Sequence, residues 1–244
     1  MAPIWLHALA IFALLLGAAC ALLLVFDVRA RPQHMAVMNV VWPVCALFGT
    51  IAVVWAYYRY GRAPASETHD HGASKARGSP HGSTTPYPVM VGTGALHCGS
   101  GCMLGDIAAE WLAFFLPGVA VWFGWGGVFA DKMFAVWVLD FLFAYALGIV
   151  FQYFAIVPMR GLSFGQGLIA AVKADTLSLT AWQIGMYGFM ALAQFVLFPR
   201  LLGQQAPVDS VEFWFAMQIA MVCGFVTSYP VNWWLIRVGI KERM

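Results

Sequence analysis

The sequence predicts an all-α polytopic membrane bundle of about six transmembrane helices, and three observations carry that reading. Of 244 residues, 62% are hydrophobic and 10% charged, whereas an ordinary soluble domain is roughly 45–50% apolar and about 25% charged. The apolar residues fall in runs of spanning length, about 20 residues each. Aromatic residues make up 16% of the chain and include 11 Trp, which suits interfacial belts and helix packing in lipid. Mean hydropathy is +0.78. The net charge of +2 is unclustered and leaves no electrostatic footprint for nucleic acid.

The first run covers residues 4–26 and stops at Asp27, followed by Arg29 and Arg31. It lacks a basic leader and is too long for the apolar core of a signal peptide. Residues 16–20 loosely resemble a lipoprotein cleavage site, but apolar residues 21–25 continue past Cys20, so the run reads as an uncleaved helix. The second run, 37–58, closes on Trp55, Tyr57 and Tyr58 before Arg59. The third spans 103–122, the fourth 132–157, the fifth 175–198 and the sixth 211–236. No proline interrupts 163–198, so the fifth helix could begin early, with 163–173 at the interface. No repeat of 20–50 residues and no period-two alternation of a membrane barrel is present. The chain divides into a two-helix hairpin (1–60), a linker (61–88) and a four-helix core (89–244).

The linker is rich in Gly, Pro, Ser, Thr and Ala and reads as disordered. It carries His69, Asp70, His71 and His81. These suit either a solvated linker or a low-affinity tether that collects Cu, Zn or Ni. Basic residues set the orientation. With six spans, Arg59, Arg62, Lys75, Arg77, Arg160, Lys173, Arg237, Lys241 and Arg243 share one side, and Arg29, Arg31, Lys132 and Arg200 the other. That places both termini in the cytoplasm, in a bacterial plasma (inner) membrane.

The most informative segment is 92–106, where His97-Cys98-x-x-x-Cys102 is followed by Asp106 and Glu110. On a helix, Cys98, Cys102, Asp106 and Glu110 are each four apart and line one face. Gly99 and Gly101 weaken a helix before Cys102, so the first part could wrap as a loop. His97 needs that loop, because a regular helix turns it about 100° from Cys98. Two thiolates and an imidazole form a soft donor set for Cu(I) or Zn(II), with Asp106 or Met103 as a fourth donor. The alternatives are a redox pair and two packed thiols in a Gly-rich turn. Cys20, Cys45 and Cys223 lie inside spans and read as packing.

A carboxylate at membrane depth faces the bundle interior, finds a partner or serves an ion path. Asp106 and Glu110 meet that condition unless they sit at headgroup level, and Asp140 needs a partner or a cavity. Gln152, Gln183, Gln194, Gln218 and Asn232 read as interhelical hydrogen bonds. Met186/Met190, Met217/Met221 and Met35/Met38 beside His34 recur at helical spacing. Thioethers are soft ligands as well as packing residues. In the six-span topology His34, Met35 and Met38 lie across the membrane from Cys98, so the two clusters would mark the ends of one route.

Runs 31–49, 96–111, 151–186 and 217–242 together resemble the bacterial membrane family known as domain of unknown function 4396. The specific parts are H-C-x-x-G-C-x-L-G-D at 97–106 and K-A-D-T-L-S-L-T at 173–180. The resemblance implies that His97, Cys98, Gly101, Cys102, Gly105 and Asp106 match the family pattern position by position, and it implies no reaction.

The chemistry therefore points to a membrane protein that binds or transports a soft transition metal, copper first and zinc second. Cys98 and Cys102 with His97 would capture the ion. It would then pass along an interior of Asp106, Glu110, Asp140, Met186, Met217 and Met221, with His34, Met35 and Met38 at the far end. Its partners would be the lipid bilayer, the metal ion, and a metal chaperone or a second copy. Two other classes stay open: a thiol–disulfide oxidoreductase using Cys98 and Cys102, and a non-catalytic subunit or assembly factor. The chain has no Walker A loop, C-x-x-C-H haem site or H-E-x-x-H pair.

Overall fold

A computed structural model describes residues 3–63 and 85–242. The linker histidines His69, His71 and His81 lie outside the described residues. Within those residues the regular elements are all helical: α1 (Ile4–Ala30), α2 (Met38–Ala56), α3 (Tyr87–Phe115), α4 (Gly118–Trp122), α5 (Lys132–Arg160), α6 (Phe164–Leu192), α7 (Phe198–Leu202) and α8 (Val211–Arg237). Their ends follow local chemistry. The Asp131 side chain accepts from the Met133 N–H at the start of α5, 2.9 Å, and Ser210 caps α8 through Phe213 N–H, 3.3 Å. Gly161, at φ 61°, ends α5. The Gln166 side chain accepts from Ser163 N–H at 3.4 Å, so the fifth predicted helix does start early, at Phe164. It continues through a π-helical turn, Ala193–Leu197, into α7.

Five segments are long and apolar enough to cross a membrane: Ile4–Ala30, Met38–Gly61, Lys132–Pro158, Phe164–Leu202 and Val211–Arg237. The chain is an integral membrane protein built as an all-α bundle. The third predicted span differs most from expectation. It starts at Tyr87 rather than 103 and ends at Phe115, and 118–122 form the separate α4 after Pro117. At 29 residues, α3 is about 44 Å long at 1.5 Å per residue, enough to span. It packs against α2, α5, α6 and α8, so protein rather than lipid covers its polar residues.

Two contacts fix how α1 runs. His7 meets Glu212 at 2.8 Å, and Gln218 Nε2 donates to the Ala13 carbonyl at 3.3 Å. Both pairs are separated by 205 residues, so α1 and α8 run parallel in fixed register. Tyr229 and Tyr87 donate to the carbonyls of Pro88 and Trp233, which puts the start of α3 beside the end of α8. The ends of α1 and α8 and the start of α3 therefore share one end of the bundle.

The second helix does not run the length of the bundle. Trp42 and Tyr57 are fifteen residues apart, about 22 Å along a straight helix, yet their ring centroids are 5.5 Å apart. Gly61 packs on the same Trp42 indole. The chain doubles back at Thr50, whose φ of 44° and ψ of −127° break the helix. Arg62 then returns to Asp27 at the end of α1, donating through Nε at 2.9 Å, and Tyr57 donates to the same carboxylate at 2.7 Å. Non-helical backbone at this depth needs protein partners. Gln218 Nε2 supplies one, donating to the Leu47 carbonyl at 2.6 Å.

This re-entrant hairpin changes the sidedness read from six spans. The described N-terminal and C-terminal residues lie at opposite ends rather than sharing one. Arg29, Arg31, Arg59, Arg62, Arg160 and Arg237 gather at one end of the bundle, the basic end, opposite Lys132 and Arg200. The turn with His34, Met35 and Met38 lies at the basic end too, the same end as the start of α3.

Candidate functional site

Glycines seat α3 in the bundle. A Cβ on Gly101 would lie 2.9 Å from the Gly148 nitrogen, and one on Gly105 would overlap the Ala144 backbone. Gly101/Gly105 on α3 and Ala144/Gly148 on α5 thus form a paired small-xxx-small contact. On the other side of α3, Gly99 lies against the Trp182 indole of α6. This packing accounts for unbroken helix where a loop was the alternative: each Gly costs about 1 kcal/mol of propensity, offset by contacts that any side chain would forbid.

Continuous helix separates His97 from the thiols. His97 is buried against Phe151, ring centroids 6.2 Å apart. Cys98 instead neighbours Cys102, Asp175 and Cys45 of α2. The Cys45 thiol donates to the Leu96 carbonyl at 3.2 Å. All of these cysteines are free.

One and two turns further along α3 come Asp106 and Glu110, both buried. Asp140 of α5 lies within the electrostatic reach of both. Asp106 lies beside the Gln183 side-chain amide, whereas neither oxygen of Asp140 has a hydrogen-bond partner. The cation nearest Glu110 is Lys132, whose Nζ donates to the Ala113 carbonyl at 2.9 Å and sits 5.7 Å from the Trp125 ring. A cavity of about 240 Å³, lined by Glu110, Asp131, Lys132, Gln194 and Gln205 among others, opens at this end.

At the opposite end of the same column, Lys241 is fully buried. Its Nζ donates to Asn232 Oδ1 at 2.7 Å, the Gly94 carbonyl at 3.1 Å and Ser178 Oγ at 3.4 Å. Asp175 Oδ1 is 3.8 Å away, and both side chains have no solvent exposure. Asn232 Nδ2 completes the network by donating to Ser178 Oγ and Ser228 Oγ, each at 2.7 Å. Sequence reasoning missed this cluster. Lys241 entered only as one of the basic residues that set orientation, although Asp175 and Ser178 fall inside the K-A-D-T-L-S-L-T run that carried the family resemblance.

Met186, Met217 and Met221 are buried in the apolar core that also holds Cys98, Cys102 and Met103, and the Met221 sulfur accepts from Trp182 Nε1 at 3.3 Å. His34 is exposed, Met35 half-buried and Met38 buried. Among the described residues, no group of three or more His, Cys, Asp or Glu side chains is gathered so that it could hold a metal ion.

The sequence profile of the family described as domain of unknown function (DUF4396) matches residues 89–241, more than half of the chain. This chain belongs to the DUF4396 family. No curated protein and no solved structure matches it. The DUF4396 segment begins at the base of α3 and ends on Lys241. It therefore holds the whole polar column from Lys241 to Glu110 and leaves α1 and the re-entrant α2 outside.

Proposed function

We propose that this DUF4396 protein passes a soft transition-metal cation, copper first and zinc second, through the centre of its bundle. The observation that carries the reading is the buried α3 stripe Cys98, Cys102, Asp106 and Glu110. It extends about 18 Å at 1.5 Å per residue. Soft thiols near mid-bundle suit Cu(I) or Zn(II), and buried carboxylates grouped together suit the charge of an ion in transit. Donors strung along a helix, rather than closed into one cage, favour binding weak enough to release. The cavity at Glu110 gives the stripe a mouth, and the re-entrant α2 brings Cys45 to Cys98 at mid-depth, as broken helices do in transport proteins. By the positive-inside rule the basic end faces the cytoplasm and the cavity faces outward. In this reading the membrane is a bacterial plasma membrane.

The test is uptake of Cu(I), kept reduced, into proteoliposomes holding the full chain and a trapped metal dye. The double variant Cys98→Ser, Cys102→Ser should abolish uptake with helix content and insertion unchanged, because a hydroxyl keeps the size and loses the soft donor. His97→Ala should reduce uptake less, since His97 faces away from the thiols. Equal uptake by the parent and the double variant would remove the thiols from the route.

A further inference from the structure

We infer that the pocket around Asp175 is a binding subsite for a monovalent alkali-type cation, filled in this structure by the Lys241 ammonium as a tethered substitute. Four oxygens converge on Lys241 Nζ: Asn232 Oδ1 at 2.7 Å, the Gly94 carbonyl at 3.1 Å, Ser178 Oγ at 3.4 Å and Asp175 Oδ1 at 3.8 Å. They come from α8, α3 and α6, so the pocket is made by the bundle and only its occupant arrives from the 238–242 tail. The donors are all hard oxygens, unlike the thiols of the stripe. A single carboxylate balances a single positive charge. The distances exceed the roughly 2.3–2.6 Å of calcium and the about 2.0–2.1 Å of magnesium, and an ammonium is close in size to potassium or rubidium.

The tail is held in a way that permits exchange. Ile240 and Lys241 donate their backbone N–H groups to the Leu235 carbonyl at 3.0 and 3.2 Å, Gly239 turns the chain at φ 76°, and Glu242 pairs with Arg160. No helix has to unfold for the ammonium to withdraw. A free cation in the pocket would meet the same oxygens and the same charge. The subsite lies beside Cys98, which neighbours Asp175, so an ion there and an ion on the thiols would sense one another.

Rubidium is the probe, with the full chain in detergent. Lys241→Met removes the ammonium and leaves the oxygens. It should bind radiolabelled rubidium stoichiometrically and melt at higher temperature in rubidium chloride than in choline chloride. The parent at the same concentration should show neither effect. Asp175→Asn combined with Lys241→Met should lose both, whereas the Cys98→Ser, Cys102→Ser background should leave rubidium binding by Lys241→Met intact, which separates this result from the fate of the metal route. Folded Lys241→Met that binds no more rubidium than the parent overturns the subsite, as does binding that survives loss of the Asp175 charge. Should Lys241→Met fail to fold, the parent decides. At rubidium concentrations far above those used with the variant, the ion should compete with the ammonium for the pocket and speed modification of Lys241 by an amine reagent, read by mass spectrometry against choline at equal ionic strength, and an unchanged rate there overturns the proposal.

Discussion

Asp175 and Asp140 are both fully enclosed acids in the same membrane bundle, yet their surroundings are opposite. Asp175 has a buried ammonium 3.8 Å away, whose protons are taken by three further oxygens. Asp140 instead has the acids Glu110 and Asp106 as its charged neighbours. A buried charge with its counter-charge belongs to the scaffold or to a filled site. Buried acids grouped with other acids need a cation or a proton supplied from elsewhere. The column thus has a closed end and an open end, and the cavity lies at the open one.

Both ends depend on one packing contact, and breaking it gives the largest expected effect. Gly105→Leu would drive a side chain into the Ala144 backbone, which cannot move as a flexible side chain could. The expected cost is upward of about 4 kcal/mol, the exceptional range for one substitution. The measurement is monodisperse protein on gel filtration together with the melting temperature. A Gly105→Leu protein that stays folded with the parent's stability would mean that α3 and α5 are not in backbone contact, and the comparison between the ends would lose its frame.

Next in size is the contrast itself. Asp175→Asn leaves the Lys241 ammonium buried without its counter-charge and should cost about 3–5 kcal/mol. Asp140→Asn breaks no ion pair, so stability should change by less than about 1 kcal/mol. Metal uptake should nevertheless fall in Asp140→Asn, because the open end loses a carboxylate. Matched melting curves of the two variants check this directly. Equal destabilisation would show that Asp140 has a structural partner after all.

These residues also show what the sequence could and could not disclose. Hydropathy located α1, α5, α6 and α8 because their walls face lipid, as in α1, where only 22% of the most apolar window is buried. It misplaced the start of α3, since Gly, Ser and His lower hydropathy in a helix covered by protein on every side. It also read α2 as a crossing, because apolar content carries no direction and nothing at Gly49 or Thr50 announces a reversal. The awkward position of Arg29 and Arg31 in the six-span topology was the trace of that error: with α2 folded back, both join the basic end. The four-residue spacing of Cys98, Cys102, Asp106 and Glu110 was readable because helical periodicity is local. Lys241 with Asp175 was not, since the pair is joined only by tertiary folding across 66 positions. Cys45, read as packing, reaches Cys98 through the same reversal of α2.

The smallest expected effect sharpens the closed end. Glu242 pairs with Arg160 at the basic end, where both side chains remain partly exposed. Ion pairs in such surroundings contribute about 0–1 kcal/mol, so Glu242→Gln should leave the melting temperature close to the parent's. It should still loosen the turn that delivers Lys241, because the pair is an anchor of the tail beyond its backbone hydrogen bonds to Leu235. The expected outcome is near-parent stability with faster modification of Lys241 by an amine reagent. If Glu242→Gln destabilises the protein as much as Asp175→Asn, the surface pair holds the tail and the buried ammonium follows passively. The difference between Asp175 and Asp140 would then reflect where the tail happens to rest rather than a pocket built for a cation.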